Sequence, residues 1–431
     1  MLQCIVYITL TQKTAYVDSS GASTPRNETF KLNFCHSFEV YSSWKDLSDT
    51  ATIEIPKNVY VKDANNSNII WGDSATPDKM TGYVNMGGFS SAQVSKLPLI
   101  MRGDAILIEA GYSYISNVNQ DGSLDYTTTT NPVFSGYVSS LEMKSTLKLH
   151  CEDNMWLLKQ TNMPTHTYGS GKNDIKDVLE DIVANVNKNY KNANLTPDTN
   201  GFTLSVNGFK TENETAAEVL KKLCKLMPSM GFYFRGNVLR GGGVVYYYKD
   251  QSAKMGSDGK PFYNSFNFQK NIISDELHYS LKSDVKVGAV CYSVSSKAGS
   301  GTNKMGGAQY TTSRLQTTIG VQHGDSQDGY EYFTFYFKDI KNEDDLKKKG
   351  QTYLNRYQYD GFRGKFTTFG LPFVQHGNII YVTDNLFPER NGHYMVKAAH
   401  CSFSIDAGLR QEIELHFRTD GIAQSVLQQG M

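Results

Sequence analysis

The stretch LPLIMRGDAILIEA, residues 97–110, decides the fold because the chain uses it twice. It returns as LPFVQHGNIIYVTD at residues 371–384, and the two copies align without a gap. Each reads Leu-Pro, two apolar residues, Met or Gln, Arg or His, Gly, Asp or Asn, and then an alternating strand pattern. Further on, LKLH (147–150) has a counterpart in IELH (413–416) at nearly the same offset. Two matches in the same order on strand-like sequence predict a duplicated β-domain.

Gly103-Asp104 and Gly377-Asn378 occupy the same place in the two copies, immediately before the alternating strand. Glycine tolerates a positive φ, and Asp or Asn closes a tight turn through its side chain. We therefore predict that these four residues form the structural turns of the repeat. No catalytic, cofactor or metal role is assigned to them.

Composition favours sheets over helical bundles. The 431 residues suggest two to four domains, and charged residues make up only 20% of the chain, while Tyr, Phe and Gly are plentiful. Because 43 basic residues balance 43 acidic ones, no overall field attracts nucleic acid or an anionic membrane. Residues 1–10 read as a first strand rather than a signal peptide, and no run is long enough to span a membrane. The six scattered cysteines suggest buried free thiols and synthesis in a reducing cytoplasm.

The middle of the chain changes from strand to helix patterns. Within residues 173–190 the apolar residues recur at helical spacing on one face, and a second helix is predicted from about Asn213 to Pro228. A third helix is predicted near 342–358, capped by Asn342. The apolar face of the first helix consists of Ile175, Val178, Leu179, Ile182, Val183 and Val186.

The predicted fold class is mainly β with an α+β insertion: two similar β-barrel (tube-type) domains flank a smaller α/β module. The first β-barrel domain covers residues 1–160, with a surface insertion at 65–96, and the inserted α+β domain covers 161–265. The second β-barrel domain covers 266–431. Polar segments at 117–131 and 299–307 are predicted as further loops outside the core.

Signatures of chemistry are scarce. There is no nucleophile elbow, zinc-binding HExxH, CxxC pair or dinucleotide fingerprint. GSGK at 169–172 imitates a phosphate-binding loop, yet it lacks the first Gly and the Ser or Thr after Lys172, so an interdomain linker is the plainer interpretation. His150 and His416 hold equivalent repeat positions, where a shared structural role outweighs a metal site. A glycosidase carboxylate pair stays open, since such residues meet only in space. We predict no enzyme activity, cofactor or metal.

The order of several segments resembles the hub proteins of contractile phage tails and related injection machines, a group that includes the late control protein D family. The resemblance covers most of the chain, and its departures are the polar insertions. The segments are GDAILIEAGY, FSGYV, LHCEDNMWLLK, AAEVLKKLCKLMPSMGFYFRGNVL, FNFQKNIISDELHYSL and GHYMVKAAHCSFSIDAGLRQEIEL.

The resemblance implies a homotrimeric ring in the virion baseplate, assembled after synthesis in the host cytoplasm. Three chains with two barrels each give six barrels, which adapt a sixfold tail tube to a threefold spike around a central channel. Implied partners are further copies of the chain, the tube protein, the spike, the tape-measure protein and other baseplate components. DNA passes transiently, and no membrane insertion or fused lysozyme is expected.

Two alternatives stay open beside the hub. A cell-wall-degrading or glycan-binding tail protein could use the α+β module and the aromatic-rich sheets to bind polysaccharide. A bacterial β-rich surface protein is a third possibility, which the missing export signal argues against.

Overall fold

A computed structural model describes most of the chain. The described residues are 2–17, 20–27, 29–33, 35–56, 60–62, 68–76, 79–84, 98–118, 124–143, 146–169, 174–199, 204, 206, 208–226, 230–243, 254–255, 261–302, 308–320, 331–338 and 340–420. Strands dominate them, so the prediction of a mainly β protein with a few helices is confirmed. The phosphate-loop imitation at 169–172 lies almost wholly outside these residues.

The first repeat supplies seven strands of the main sheet and one small two-stranded hairpin. A separate four-stranded sheet covers and flanks the surface insertion predicted at 65–96, of which residues 65–67, 77–78 and 85–96 lie outside the described part. In chain order the strands are β1 (Leu2–Thr11), β2 (Tyr16–Val17), β3 (Ser23–Thr24), β4 (Thr29–Leu32), β5 (Ser37–Ser43), β6 (Thr50–Ile55), β7 (Tyr60–Lys62), β8 (Asn68–Thr76), β9 (Lys79–Val84), β10 (Pro98–Met101), β11 (Ala105–Val118), β12 (Leu124–Met143) and β13 (Leu147–Glu152).

The inserted module contains three helices packed on a small sheet. A capping box starts α2, in which Asp174 accepts from the Lys176 N–H at 3.0 Å and Asp177 accepts from the Asp174 N–H at 2.9 Å. The predicted apolar face of that helix is buried throughout. The elements are α1 (Met155–Lys159), β14 (His166–Thr167), α2 (Ile175–Asn189), β15 (Thr196–Asp198), β16 (Lys210–Thr211), α3 (Ala216–Leu226), β17 (Met230–Arg235), β18 (Val238–Gly243), β19 (Lys254–Met255) and β20 (Pro261–Phe262).

The second repeat carries a module of its own. Strands β24, β25 and β26 form a three-stranded sheet, and α4 packs on it around a separate apolar cluster that includes Cys291, Phe335 and Leu346. The elements are β21 (Asn264–Asn267), β22 (Ile272–Asp275), β23 (His278–Ser280), β24 (Val287–Thr302), β25 (Ala308–Gly320), β26 (Glu331–Lys338), α4 (Glu343–Leu354), β27 (Gly361–Arg363), β28 (Lys365–Phe369), β29 (Ile379–Thr383), a 3-10 helix (Pro388–Arg390), β30 (Gly392–Ser404) and β31 (Gly408–Arg418).

One sheet of thirteen strands joins the two repeats. Its path runs β22-β28-β31-β30-β5-β6-β13-β12-β11-β1-β4, with β29 and β21 branching from β30. The repeats meet where β30 pairs with β5, a junction that we call the seam. Because the path ends on a strand at each side, the described residues of a single chain form an open sheet and no closed barrel.

The equivalent hairpins differ in length. Ala105 pairs with Tyr137 and Ile108 with Phe134, and in the second repeat Ile379 to Val382 pair with Met395 to Gly392 in the same way. The first hairpin then continues as paired strands through residues 109–118 and 124–132, which we call the arm. The polar segment predicted as a loop at 117–131 is therefore largely strand, because its β-branched threonines pair with β11. The same holds for Gly299 to Thr302, which belong to β24.

Candidate assembly site at the repeat turns and the seam

The first repeat turn is closed by backbone and side chain together. Gly103 has φ +91°, and its N–H donates to the Val138 carbonyl at 2.8 Å. The Val138 N–H donates back to the Asp104 carbonyl at 2.9 Å. Asp104 Oδ2 accepts from the Met101 N–H at 2.8 Å. An added Cβ on Gly103 would lie 3.1 Å from the Trp156 ring, so packing and conformation both require glycine here.

The second repeat turn has the same hydrogen bonds. Gly377 has φ +80°, and its N–H donates to the Val396 carbonyl at 2.8 Å. The Val396 N–H donates to the Asn378 carbonyl at 2.8 Å, and Asn378 Oδ1 accepts from the Gln375 N–H, also at 2.8 Å. Since Asp and Asn each offer an acceptor oxygen at this position, the turn geometry is common to both repeats.

The surroundings of the two turns differ. Asp104 forms an ion pair with Arg26 at 2.8 Å, and the two side chains are only 2% and 1% exposed. Asp104 also accepts from the Lys13 N–H at 3.0 Å, and Arg26 donates to the Thr14 carbonyl at 2.9 Å. This ion pair ties the β2–β3 region to the first turn. A buried charge pair of this kind is costly to break from one side.

A polar junction connects the second turn to the inserted module and the first repeat. Arg235, at the end of β17, donates to His376 Nε2 at 3.1 Å and also reaches the His376 carbonyl. His376 is fully buried and lies 3.8 Å from Asp49 Oδ1. Asp153 accepts from the Ser48 hydroxyl at 3.0 Å, and its N–H donates to the Asp49 carbonyl at 3.1 Å. Three parts of the chain therefore meet at one buried cluster.

Burial shifts the ionisation of this junction. Burial raises the pKa of both Asp49 and Asp153, and the neighbouring carboxylate raises that of Asp153 further. Burial and the Arg235 cation lower the pKa of His376. Shifted carboxylates are typical of active sites. Here, however, Asp153 is only 6% exposed and accepts from the Met155 N–H at the start of α1, so its bonds are those of a structural cap that a polysaccharide cannot reach.

The outer face of the seam forms a shallow concavity of about 210 Å³. His400 of β30 pairs with Tyr41 of β5, and Glu412 lies beside it on β31. The side chains are polar and the sheet below them is continuous across the two repeats. The lining residues are Glu39, Tyr41, Thr50, Thr52, His400 and Glu412.

The equivalent histidines lie in different surroundings. His150 Nε2 contacts Glu142 at 3.3 Å on a partly exposed face. His416 packs between the rings of Trp44 and Phe417, and burial lowers its pKa to about 3.

Among the described residues, no group of three His, Cys, Asp or Glu side chains is placed to hold a metal ion. In the same residues, no helix is both long and apolar enough to cross a membrane.

The structure places the four predicted turn residues as two matched pairs, one at each repeat. Sequence reasoning missed Arg26 and Arg235, whose partners lie 78 and 141 residues away. It also missed the seam. The sequence offered one sign that the two turns differ, since His376 aligns with Arg102. Arg102 is exposed, whereas His376 is buried under Arg235.

The chain resembles known proteins in its fold but not in its sequence. No protein-family model matches the chain, and no curated protein matches its sequence. Among solved structures, the tail protein from Neisseria meningitidis MC58 is similar over 98% of this chain and 99% of its own, with a TM-score of 0.50 at 12% identity.

Two prophage proteins are also similar. The 43 kDa tail protein of prophage MuSo2 from Shewanella oneidensis covers 96% of this chain and 98% of its own, with a TM-score of 0.48 at 14% identity. Prophage tail protein gp18 from Listeria monocytogenes EGD-e covers 99% and 98%, with a TM-score of 0.43 at 6% identity. From β1 to β31, the chain has the fold of the tail protein from Neisseria meningitidis MC58.

Proposed function

We propose that this chain is a structural, non-enzymatic hub subunit of a phage tail baseplate or a phage-like injection machine. Three copies form a ring that adapts a sixfold tail tube to a threefold spike and lines the central channel. The observation that carries the proposal is the pair of matched turns, at Gly103-Asp104 and Gly377-Asn378, within one sheet that runs through both repeats. The fold shared with a tail protein agrees with it.

The repeat explains how one chain serves two symmetries. Three chains with two equivalent repeats each present six similar units to a sixfold tube. Among the described residues, the arm and the α4 module each occur in one repeat, so they recur three times around a ring and suit a threefold partner. Symmetry matching, rather than chemistry, is the role that we assign to the four turn residues.

The proposal keeps three domains, at 1–160, 161–265 and 266–431. Within each chain the sheet is open, and the tube-type barrel closes between copies. The partners are other copies of the chain, the tube protein, the central spike, the tape-measure protein and other baseplate components, with transient passage of DNA. The site of action is the virion baseplate, and the protein is made in the host cytoplasm.

The stoichiometry tests the proposal directly. Size-exclusion chromatography with light scattering at micromolar concentration should give about 145 kDa, three times the 48.2 kDa of one chain. Negative-stain images should show rings with a central pore about as wide as a tail tube. A particle that stays monomeric across this range would refute the hub assignment.

A further inference from the structure

The seam inside each chain shows how one repeat is joined to the next. Along one edge of β30, residues Gly392 to Met395 pair with β29. The same edge then continues past β29, and Ala398 to Ser404 pair antiparallel with β5. One strand thus serves two partners in succession, the first from its own repeat and the second from the other repeat.

The first repeat has the same strand layout, with no strand in the place of the second partner among the described residues. Tyr137 of β12 pairs with Ala105, as Met395 of β30 pairs with Ile379, and the Val138 turn bonds match those of Val396. Beyond that point Ser140 to Met143 continue along this edge. Among the described strands they pair with β13 on the other edge only.

The strand equivalent to β5 is found at the opposite end of the sheet. β5 pairs with β6, which pairs with β13. In the second repeat, β22 pairs with β28 and β23 pairs with β27, and β28 in turn pairs with β31. Together β22 and β23 therefore hold the position that β5 holds in the first repeat. Gly364 connects β27 to β28 at φ +110°, where a Cβ would lie 2.3 Å from the Glu276 carbonyl. The outer edge of β22 and β23 has no pairing strand among the described residues.

One apolar side chain along this edge is exposed where its counterpart at the seam is buried. On β5 the alternate residues Phe38, Val40 and Ser42 face the core and are buried. On the equivalent strand, Leu277 and Tyr279 pack against the core of the second repeat, but Leu281, at the next alternate position, is 51% exposed. An apolar residue exposed at a core-facing position on an open strand edge indicates a surface made to be covered.

We propose that the edge formed by β23 and Leu281 of one copy pairs antiparallel with Ser140 to Met143 of the next copy, repeating the seam that joins β30 to β5. The occupant is a second copy of this chain, because the contact continues an interface that the chain already makes with itself. Each copy presents one edge of each kind, so the contact is head-to-tail, and a threefold rotation between copies closes it into the trimeric ring proposed above. This inference rests on the proposed trimeric hub and names the strands that build it.

Leu281→Asp tests the contact, with Val17→Asp as the matched control, since Val17 is 52% exposed on the β2–β3 hairpin. A charge buried at the edge should shift the mass from three chains to one at micromolar concentration, while the monomer keeps the β-sheet circular dichroism spectrum of Val17→Asp. Val17→Asp should remain trimeric. A Leu281→Asp variant that stays trimeric overturns the strand pairing and leaves the ring itself standing, whereas a wild-type monomer overturns both.

Disulfide cross-linking gives a second readout that does not depend on stability. Glu142→Cys/Ser280→Cys, which repeats the His400–Tyr41 pair of the seam, and its register-shifted partner, Ser140→Cys/Ser280→Cys, each place one added thiol on each edge. Under mild oxidation one of the pairs should yield covalent dimers and trimers on a non-reducing gel. A variant that carries only one of the two added cysteines should not. Trimers in solution with no cross-link from either pair would show that the ring closes through other strands.

Discussion

Replacing Asp104 by Asn tests how far the first turn depends on its ion pair. The change keeps an acceptor oxygen for the Met101 N–H, as Asn378 does for the Gln375 N–H in the second turn. It removes the charge difference between Asp104 and Asn378 and leaves the Arg26 guanidinium, 1% exposed, without its carboxylate. The geometry of the turn and the charge at the turn are therefore separated by one substitution.

The expected cost follows from burial. Removing one member of a buried ion pair costs about 3–5 kcal/mol, because the remaining charge stays desolvated. The Asn amide also places an N–H donor where Asp104 accepts from both Arg26 and a backbone N–H. Adding Arg26→Met removes the uncompensated cation, so the double variant should recover part of the loss.

Hydrogen exchange measured by mass spectrometry localises the effect. Amide protection in β11 should fall by about 10²–10⁴-fold in Asp104→Asn, the fold-change that corresponds to about 3–5 kcal/mol. Peptides from β29 serve as the internal control and should change far less. Equal losses in β11 and β29, or unchanged protection in β11, would refute the view that the ion pair stabilises the first turn locally.

Three further predictions concern the turns and the buried groups. Gly103→Ala and Gly377→Ala should each lower stability by about 1–3 kcal/mol, because both glycines hold a positive φ; calorimetry showing no loss at either position would contradict the positive-φ assignment. The pKa of His416 is lowered from 6.5 to about 3, so the unfolded chain binds a proton that the folded chain lacks, and stability falls as the pH drops below 6.5 by up to about 1.4 kcal/mol per pH unit. His416→Phe should reduce that slope in thermal scans from pH 7 to 4, and an unchanged slope would place the titration elsewhere. Arg235→Met should raise the pKa of Asp49 further, because the Arg235 cation lowers it in the wild-type protein. If the two groups do not interact, carboxyl carbon NMR shifts measured against pH would give Asp49 an unchanged or lower pKa.

The sequence was sufficient where the determinants are local. Positive φ at Gly103 and Gly377, the apolar face of α2 and the cap at Asn342 each depend on residues within a few positions of one another. Such patterns leave a periodic or positional trace in a single chain.

The remaining features depend on contacts between distant residues. Arg26 and Arg235 occupy unremarkable sequence positions, and only the fold brings them to Asp104 and His376. The arm was mistaken for a loop because its polar threonines face solvent on a two-stranded ribbon, where no alternation of apolar residues is required. The pairing of β30 with β5 likewise left no mark in either strand's own pattern.

The seam also has a consequence for synthesis. Ser43 pairs with Ala398, so 355 residues separate the two strands in the chain. At roughly 5–20 residues per second, a ribosome would need about 20–70 s between them, and during that time β5 presents an open edge. Glu39, at the centre of β5, places a charge on this edge, which discourages pairing with other nascent chains. Correct folding of the protein therefore depends on this edge of β5 remaining open until β30 has been made.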